Sequence, residues 1–369
     1  MKRASLVFWG LLLVLGLLGA GAAFWFTGAA RTEARHSTER LRCALPAQPA
    51  TAPHPGMVWV PGGSFELGDT VYPEEQPVRP TRVAGFWMDR TEVTNDEFAR
   101  FVAATGYVTV AERALDAATH PGLPADLLAP GAVVFIAPND LQGRGDLTQW
   151  WRYTAGAQWR HPGGPATSIE GRGAFPVVTL ALQDAQAYAR WLGRTLPTEA
   201  QWEWAARAGQ TQAGLDHDQP AQANTWQGLF PVVNSGEDGF VGLAPVGCYP
   251  PNAWGLFDLI GNVWELTADV YHPNHRLPAQ TPPEAAGQRT SASTPTPTAL
   301  DSASASSAAR STNTPSPAPA PGQHVIKGGS FLCAPNYCMR YRSGSRQAQD
   351  DELGTSHVGF RTVLNAPGP

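Results

Sequence analysis

The chain has 369 residues, room for one large domain or two ordinary ones. Only 15% of residues are charged and the formal net charge is -5, so no basic bulk marks a nucleic-acid partner. Thirteen Trp with 38 Gly and 34 Pro suit a compact, loop-rich fold better than a helical bundle, and four Cys are too few for a disulfide-built scaffold.

Residues 5–30, SLVFWGLLLVLGLLGAGAAFWFTGAA, carry no charge and follow Lys2 and Arg3. The run is long enough to cross a bilayer as a helix, and longer than the apolar part of a usual signal peptide, although TGAA offers a small-residue cleavage site. An N-terminal membrane anchor is therefore expected, with a cleaved, secreted form as the alternative. Lys2 and Arg3 favour a cytoplasmic N-terminus, whereas Arg31, Arg35, Arg40 and Arg42 pull the other way. A bare anchor ahead of a large domain places that domain outside the cytoplasm, on the periplasmic or extracellular side. Residues 31–55 are polar, then Ala/Pro-rich, and read as a flexible stalk.

GMVWVPGGSFELGD opens the folded region, 56–365, as a strand, a Gly-Gly turn and a second strand. TEVTNDEFARFVAATG predicts a helix: Thr94 and Glu97 form a capping box, Phe98, Phe101 and Val102 the apolar stripe, and Gly106 the stop. A second helix is predicted over 181–192, with Leu182, Ala185, Ala189 and Leu192 on one face. A third begins at the Thr198/Gln201 capping box, turns Trp202 and Ala205 inward and closes at Gly209. Residues 276–322 carry almost no large apolar side chains, Leu277 and Leu300 apart, and are predicted to be a disordered insertion.

KGGSFLCAPNYCMRYRSGSR, 327–346, holds Cys333 and Cys338. A C-x4-C pair admits three readings: a local disulfide, a soft-metal dithiolate, or a redox-active pair. Zinc would want four ligands, and no second C-x-x-C or paired His lies nearby; two thiolates alone suit Cu(I). Ser330 offers a hydroxyl three residues earlier. Arg340, Arg342 and Arg346 either favour thiolate or form a solvated face paired with Asp350, Asp351 and Glu352. Cys43 reads as incidental and Cys248 as a small core residue. Two oxygen-rich stretches, 224–240 (Asn224, Asn234, Glu237, Asp238) and 257–269 (Asp258, Asn262, Glu265, Asp269), offer calcium-type donors, although such clusters are mostly turns.

MVWVPGGSFELGD, DRTEVTNDEFARFVAATGY, PVVTLALQDAQAYARWLGRTLPTEAQWEWAARAG, the 223–269 stretch and KGGSFLCAPNYCMRYR…HVGFR stand in the order found in the formylglycine-generating enzyme (sulfatase-modifying factor) family, which this chain resembles over about 56–365. P-T-E-A-x-W-E, G-N-x-W-E, G-G-S-F and G-F-R are shared with a wider superfamily. G-G-S-F-L-C-x4-C-x-R-Y-R and N-S-G-E-D-G-F are more specific to the oxidase branch. The resemblance implies an α+β domain with a distorted C-type-lectin-like core, little regular structure and bound calcium. It implies O2-dependent oxidation of a cysteine in a sulfatase C-x-P-x-R motif to Cα-formylglycine, with Cu(I) between two cysteines and the substrate thiolate joining it. The partner implied is an unfolded or nascent sulfatase polypeptide, met by a monomer.

Residue by residue, the resemblance gives Cys333 and Cys338 the copper-binding role, Ser330 that of the active-site serine, and Trp264 and Tyr337 that of aromatics lining the substrate site. It gives Asn224, Asp238 and the carbonyls of Thr225 and Phe240 to a first calcium. Asp258, Glu265 and the carbonyls of Gly261 and Val263 go to a second. There are departures: Ala334 where many relatives have His, Asp258 where others carry Asn, Ser343 and no further cysteines for the family's structural disulfides, and TLALQDA for the Trp-containing S-W-x-D-A. Two other readings compete. An iron-dependent C–S bond-forming sulfoxide synthase needs a His-rich site, and His is scattered here. A non-catalytic lectin-like binding module leaves Cys333, Cys338 and Ser330 without a task.

Overall fold

The computed structural model describes residues 43, 45–48, 51–118, 120–138, 147–275, 322–365 and 367–368. The first two strands follow the sequence closely: β1 (Met57–Val60), the Gly-Gly turn, then β2 (Gly63–Leu67), although they do not pair with each other. β2 pairs antiparallel with β3 (Arg79–Val83), while β1 pairs antiparallel with β4 (Phe86–Asp89). α1 (Asn95–Thr105) starts where the capping box requires. Thr94 Oγ1 accepts from Glu97 N at 3.3 Å, and Glu97 Oε2 accepts from Thr94 N at 2.9 Å. It ends at Gly106, which takes the left-handed conformation at φ 66°.

A one-turn helix, α2 (Ala125–Leu128), precedes the hairpin β5 (Gly131–Phe135) and β6 (Trp151–Ala155). α3 (Leu182–Trp191) buries Leu182, Ala185 and Ala189; Leu192, at its C-cap, is 37% exposed, so the predicted face ends one turn early. α4 (Glu199–Arg207) has the predicted Thr198/Gln201 box and buries Trp202 and Ala205 completely. Its left-handed cap is Ala208 rather than Gly209.

The largest described sheet orders β10 (Val358–Gly359), β7 (Trp264–Val270), β8 (Gln323–Lys327) and β9 (Arg346–Asp350), with β10 parallel to β7 and the rest antiparallel. β11 (Val363–Leu364) returns to β4, tying the end of the chain to its start. Helices and small sheets mix without a repeat, in keeping with an α+β fold of low regular content.

The expected N-terminal transmembrane helix is withdrawn from the fold. Among the described residues no helix is long and apolar enough to cross a membrane, and residues 5–30 lie outside them. The longest described helix, α1, has 11 residues and spans about 16 Å, against a hydrocarbon core of about 30 Å. The insertion expected over 276–322 likewise lies outside the described residues, apart from Gly322.

One buried cluster gathers Phe98, Trp159, Tyr188, Trp264, Ile326 and Phe360 around Cys333 and Cys338. A second forms between β1–β4 and α4, around Phe65, Met88, Trp202 and Trp204. A third joins Trp150, Trp226 and Phe230 to Phe331 and Leu332, on the segment that carries the thiols. The thiol pair thus sits where helical and sheet cores meet.

Candidate active site

β8 delivers the chain into the site. Its last residue, Lys327, is fully buried and donates to Glu203 Oε2 at 2.8 Å. Gly328 and Gly329 then take φ of 94° and 75°, and a Cβ on either would lie 2.6 Å from a backbone oxygen, of Leu259 and Arg340 respectively. Only glycine permits that doubling back. Ser330 follows, with no exposed surface.

A tight turn sets the sulfurs. Cys333 N donates to Ser330 O at 2.9 Å and Cys338 N to Ala334 O at 2.8 Å, which brings Cys333 Sγ to 3.1 Å from Cys338 Sγ. Both are buried free thiols, so the local-disulfide reading is not the state of this structure. Ser330 N donates to Cys333 Sγ at 3.5 Å, and Ser330 Oγ accepts from Leu332 N at 3.3 Å. The thiols differ electrically. A hydrogen bond from Cys333, helped by the nearby Arg340 guanidinium, lowers Cys338 to about 7 against the cost of its burial. Burial, then the neighbouring sulfur, pushes Cys333 well up. One proton held between two sulfurs resides on Cys333, and Cys338 is the sulfur that ionises first.

Trp264 is 2% exposed and belongs to the buried cluster that holds both sulfurs. Tyr337 is 47% exposed and stacks on Phe230 with ring centroids 4.2 Å apart, Trp150 meeting it edge-on at 6.3 Å. The pair therefore has a buried aromatic wall on one side and an exposed aromatic rim on the other.

The arginines do not form a solvated face, and none pairs with Asp350, Asp351 or Glu352 among the described contacts. Arg342 is fully buried between Asp69 and Glu75, at 2.6 and 2.5 Å. Arg346 is buried on Glu199 at 2.7 Å. Arg340 alone turns toward the thiols; it pairs with Glu74, and its guanidinium lies 4.1 Å from the centroid of the Tyr72 ring. Tyr72 Oη in turn accepts from Met339 N at 3.1 Å. Sequence reasoning missed Tyr72 and Glu74. Their only signal was a Y-P-E-E turn more than 250 residues upstream of Arg340, and that distance carries no pairing information.

The oxygen-rich stretches come together. Asp238 accepts from Thr225 N at 2.9 Å and from Phe240 N at 3.1 Å, uniting three members of the first calcium group. Asn224 reaches the same loop through Nδ2 to Gly242 O at 2.8 Å, while its buried Oδ1 has no hydrogen-bond partner. An orphaned amide oxygen beside a carboxylate fits a hard cation. The second group abuts the first, since Asn224 O accepts from Asn262 N at 2.8 Å and leaves no room for a Cβ on Gly261. Val263 follows, fully in the core. Glu265 there is fully buried, held by both arms of Arg361 at 2.7 Å and by Trp202 Nε1 at 2.8 Å. Asp258 Oδ2 accepts from Gly247 N at 2.5 Å, and burial raises its pKa to about 6. Glu92, which sequence reasoning missed, lies fully buried nearby with an unpartnered Oε2; burial first, then Asp258 and Glu265, push its pKa well up. Three buried carboxylates share one guanidinium, a negative surplus that fits an added cation.

Cys43 and Cys248 require correction. They form a disulfide spanning 205 residues, so Cys43 is not incidental and Cys248 is not a lone core residue. The residues after Cys43 pack on the domain: Pro46 O accepts from Arg90 Nη1 at 2.9 Å, and Gln48 bonds Met57 O and Gly56 N. The spacing of the two cysteines gave no cue, because nothing local relates them.

The description of the sulfatase-modifying factor enzyme 1-like domain matches residues 43–366. The formylglycine-generating enzyme of Mycobacterium tuberculosis is 46% identical over 319 residues, covering 84% of this chain and 97% of that protein. A mouse protein named inactive C-alpha-formylglycine-generating enzyme 2 is 40% identical over 233 residues, 60% of this chain and 71% of its own. Among solved structures, PvdO from Pseudomonas aeruginosa shares the fold, with a TM-score of 0.50 at 23% identity over 83% of this chain and 93% of that one.

Proposed function

This chain belongs to the sulfatase-modifying factor enzyme family, and we propose that it is a catalytically competent member that oxidises a cysteine of a sulfatase C-x-P-x-R segment to Cα-formylglycine with O2. The observation that carries this reading is the pair of reduced, buried sulfurs 3.1 Å apart behind a half-exposed aromatic rim.

The donor set suits Cu(I): two soft sulfurs, one of them ready to ionise near neutral pH. Cys333 and Cys338 would hold the ion, which when bound would supply O2 activation. The chain's own groups do the rest. Ser330 Oγ already accepts from Leu332 N, which leaves its own proton free to donate to a reacting atom beside the pair. Arg340, fixed by Glu74 and Tyr72, keeps positive charge near Cys338. Trp264 closes the inner side against water, and Tyr337 with Phe230 offers a rim against which an extended substrate segment can lie.

Structural calcium belongs to the same reading. Asn224, Thr225, Asp238 and Phe240 would hold one ion, and Asp258, Gly261, Val263 and Glu265 a second, with Glu92 adding charge. A disulfide formed by two half-buried cysteines supports a working site outside the reducing cytoplasm. The sulfoxide-synthase reading would need a histidine-rich iron site, and the nine histidines are scattered along the chain. A purely binding role would leave the reduced pair without a use.

The test supplies the protein with a C-x-P-x-R peptide, Cu(I), O2 and a reductant, and reads aldehyde formation by mass spectrometry. Cys333→Ser and Cys338→Ser are each expected to abolish it; full activity in either variant would refute the assignment.

A further inference from the structure

The Cys43–Cys248 disulfide lies where both candidate cation groups can feel it. On one side of Cys248, Gly247 N donates to Asp258 Oδ2 at 2.5 Å. On the other, Tyr249 Oη donates to Asp238 O at 3.2 Å, and its ring meets Phe240 at 6.4 Å. The residues flanking one half-cystine thus hold an oxygen-bearing residue of each group. The other half-cystine begins a strap that is fastened further along. Leu45 packs so closely on Gly247 that a Cβ there would sit 2.3 Å from its Cδ2. Pro46 O is bonded by Arg90, whose own carbonyl accepts from Phe257 N at 2.8 Å, one residue before Asp258. The described residues after Cys43 are thus linked to the 247–258 segment at both ends, at Cys248 through the disulfide and at Phe257 through Arg90.

We propose that the Cys43–Cys248 disulfide is a redox-sensitive clamp that holds the Asp238 and Asp258 loops in their cation-binding arrangement, so that its reduction weakens calcium binding. The inference rests on the calcium reading given above. Reduction takes two electrons and two protons from a dithiol, which becomes a cyclic disulfide, and leaves two thiols at 43 and 248. Cys333 and Cys338 are already thiols and gain nothing from that step. Once cut, Gly247 and Tyr249 are tied to the strap only by packing, and their bonds to the Asp258 side chain and the Asp238 carbonyl are made by a freer loop. Partners of this outer kind are worth about 10–100-fold in metal affinity.

The test is a calcium titration by calorimetry on chelator-treated full-length protein, with thiol counting to verify the disulfide. Wild-type protein is compared with Cys43→Ser/Cys248→Ser and with Tyr249→Phe, which removes one loop contact and leaves the disulfide intact. The double variant is expected to bind calcium at least about tenfold more weakly, and Tyr249→Phe to shift in the same direction. Equal affinity in the double variant and wild type overturns the clamp and leaves the calcium reading standing. No calcium binding by the intact wild type overturns the calcium reading and the clamp with it. Should the double variant not fold, calcium-loaded wild type is treated with dithiothreitol while a chromophoric chelator follows release. Release in step with the appearance of two new thiols supports the clamp; retention after full reduction overturns it.

Discussion

At the scale of single residues, the asymmetry between Cys333 and Cys338 matters most. Two identical side chains five positions apart acquire opposite proton affinities because burial weighs most on Cys333, while Cys338 is lowered first by the hydrogen bond from Cys333; Arg340 favours ionisation of both and adds further hydrogen bonds to Cys338. The resemblance named both cysteines, but it was silent on which ionises. Arg340 was one of three arginines with equal standing in sequence, and its selection depends on Glu74 and Tyr72 holding it there. Arg340→Ala is expected to raise the pH midpoint of Cys338 alkylation above its value of about 7, seen as slower reaction with iodoacetamide at neutral pH, while Arg340→Lys retains part of the effect. An unchanged midpoint in the alanine variant would assign the acidity to Cys333 alone. At this scale the sequence also hid Glu92, an unremarkable acid before a helix that folding buries beside Asp258 and Glu265.

At the scale of elements, the helices were legible because their signals are local. A capping box needs two side chains three residues apart, and an apolar stripe needs only a 3.6-residue period. α1 and α4 begin where those signals stand. Thr94→Ala removes the cap of α1, whose Phe98 and Phe101 pack in the cluster around the thiols, and is expected to cost about 1 kcal/mol. The urea midpoint should fall with an unchanged slope; a midpoint equal to wild type would show that the cap carries no net stability. The stop of α4 was misplaced by one residue, since Ala208 accepts the left-handed conformation next to a glycine that also adopts it. The sheet order was not legible. β11 pairs with β4 across most of the chain and β10 with β7 across about a quarter of it, and strand propensity says nothing about partner choice.

At the scale of the whole molecule, buried ion pairs fasten the C-terminal segment to the rest. Arg342 reaches back to Asp69 and Glu75, Arg346 to Glu199 and Arg361 to Glu265. Removing one partner from such a pair leaves a buried charge uncompensated. Arg342→Ala is therefore expected to destabilise the fold by about 3–5 kcal/mol, with a clear drop in melting temperature. A loss below about 1 kcal/mol would mean that Asp69 and Glu75 regain water or neutralise at little cost. Burial already raises Glu75, which marks it as the partner that would take up the proton.

What the sequence by itself determined are the properties that short spans can encode: helix starts, the first two strands with the Gly-Gly turn between them, the glycine pair that lets Ser330 and the thiols follow β8, and a family resemblance carried by contiguous motifs. Tertiary structure alone decided which groups meet across long stretches of chain. It joined Cys43 to Cys248, gave Arg340, Arg342 and Arg346 their acids, and made one sulfur of the pair more acidic than the other. The reason is physical. Burial and charge pairing act through space at a few ångströms, whereas residue order constrains distance only over the few positions that a turn or a helix can span.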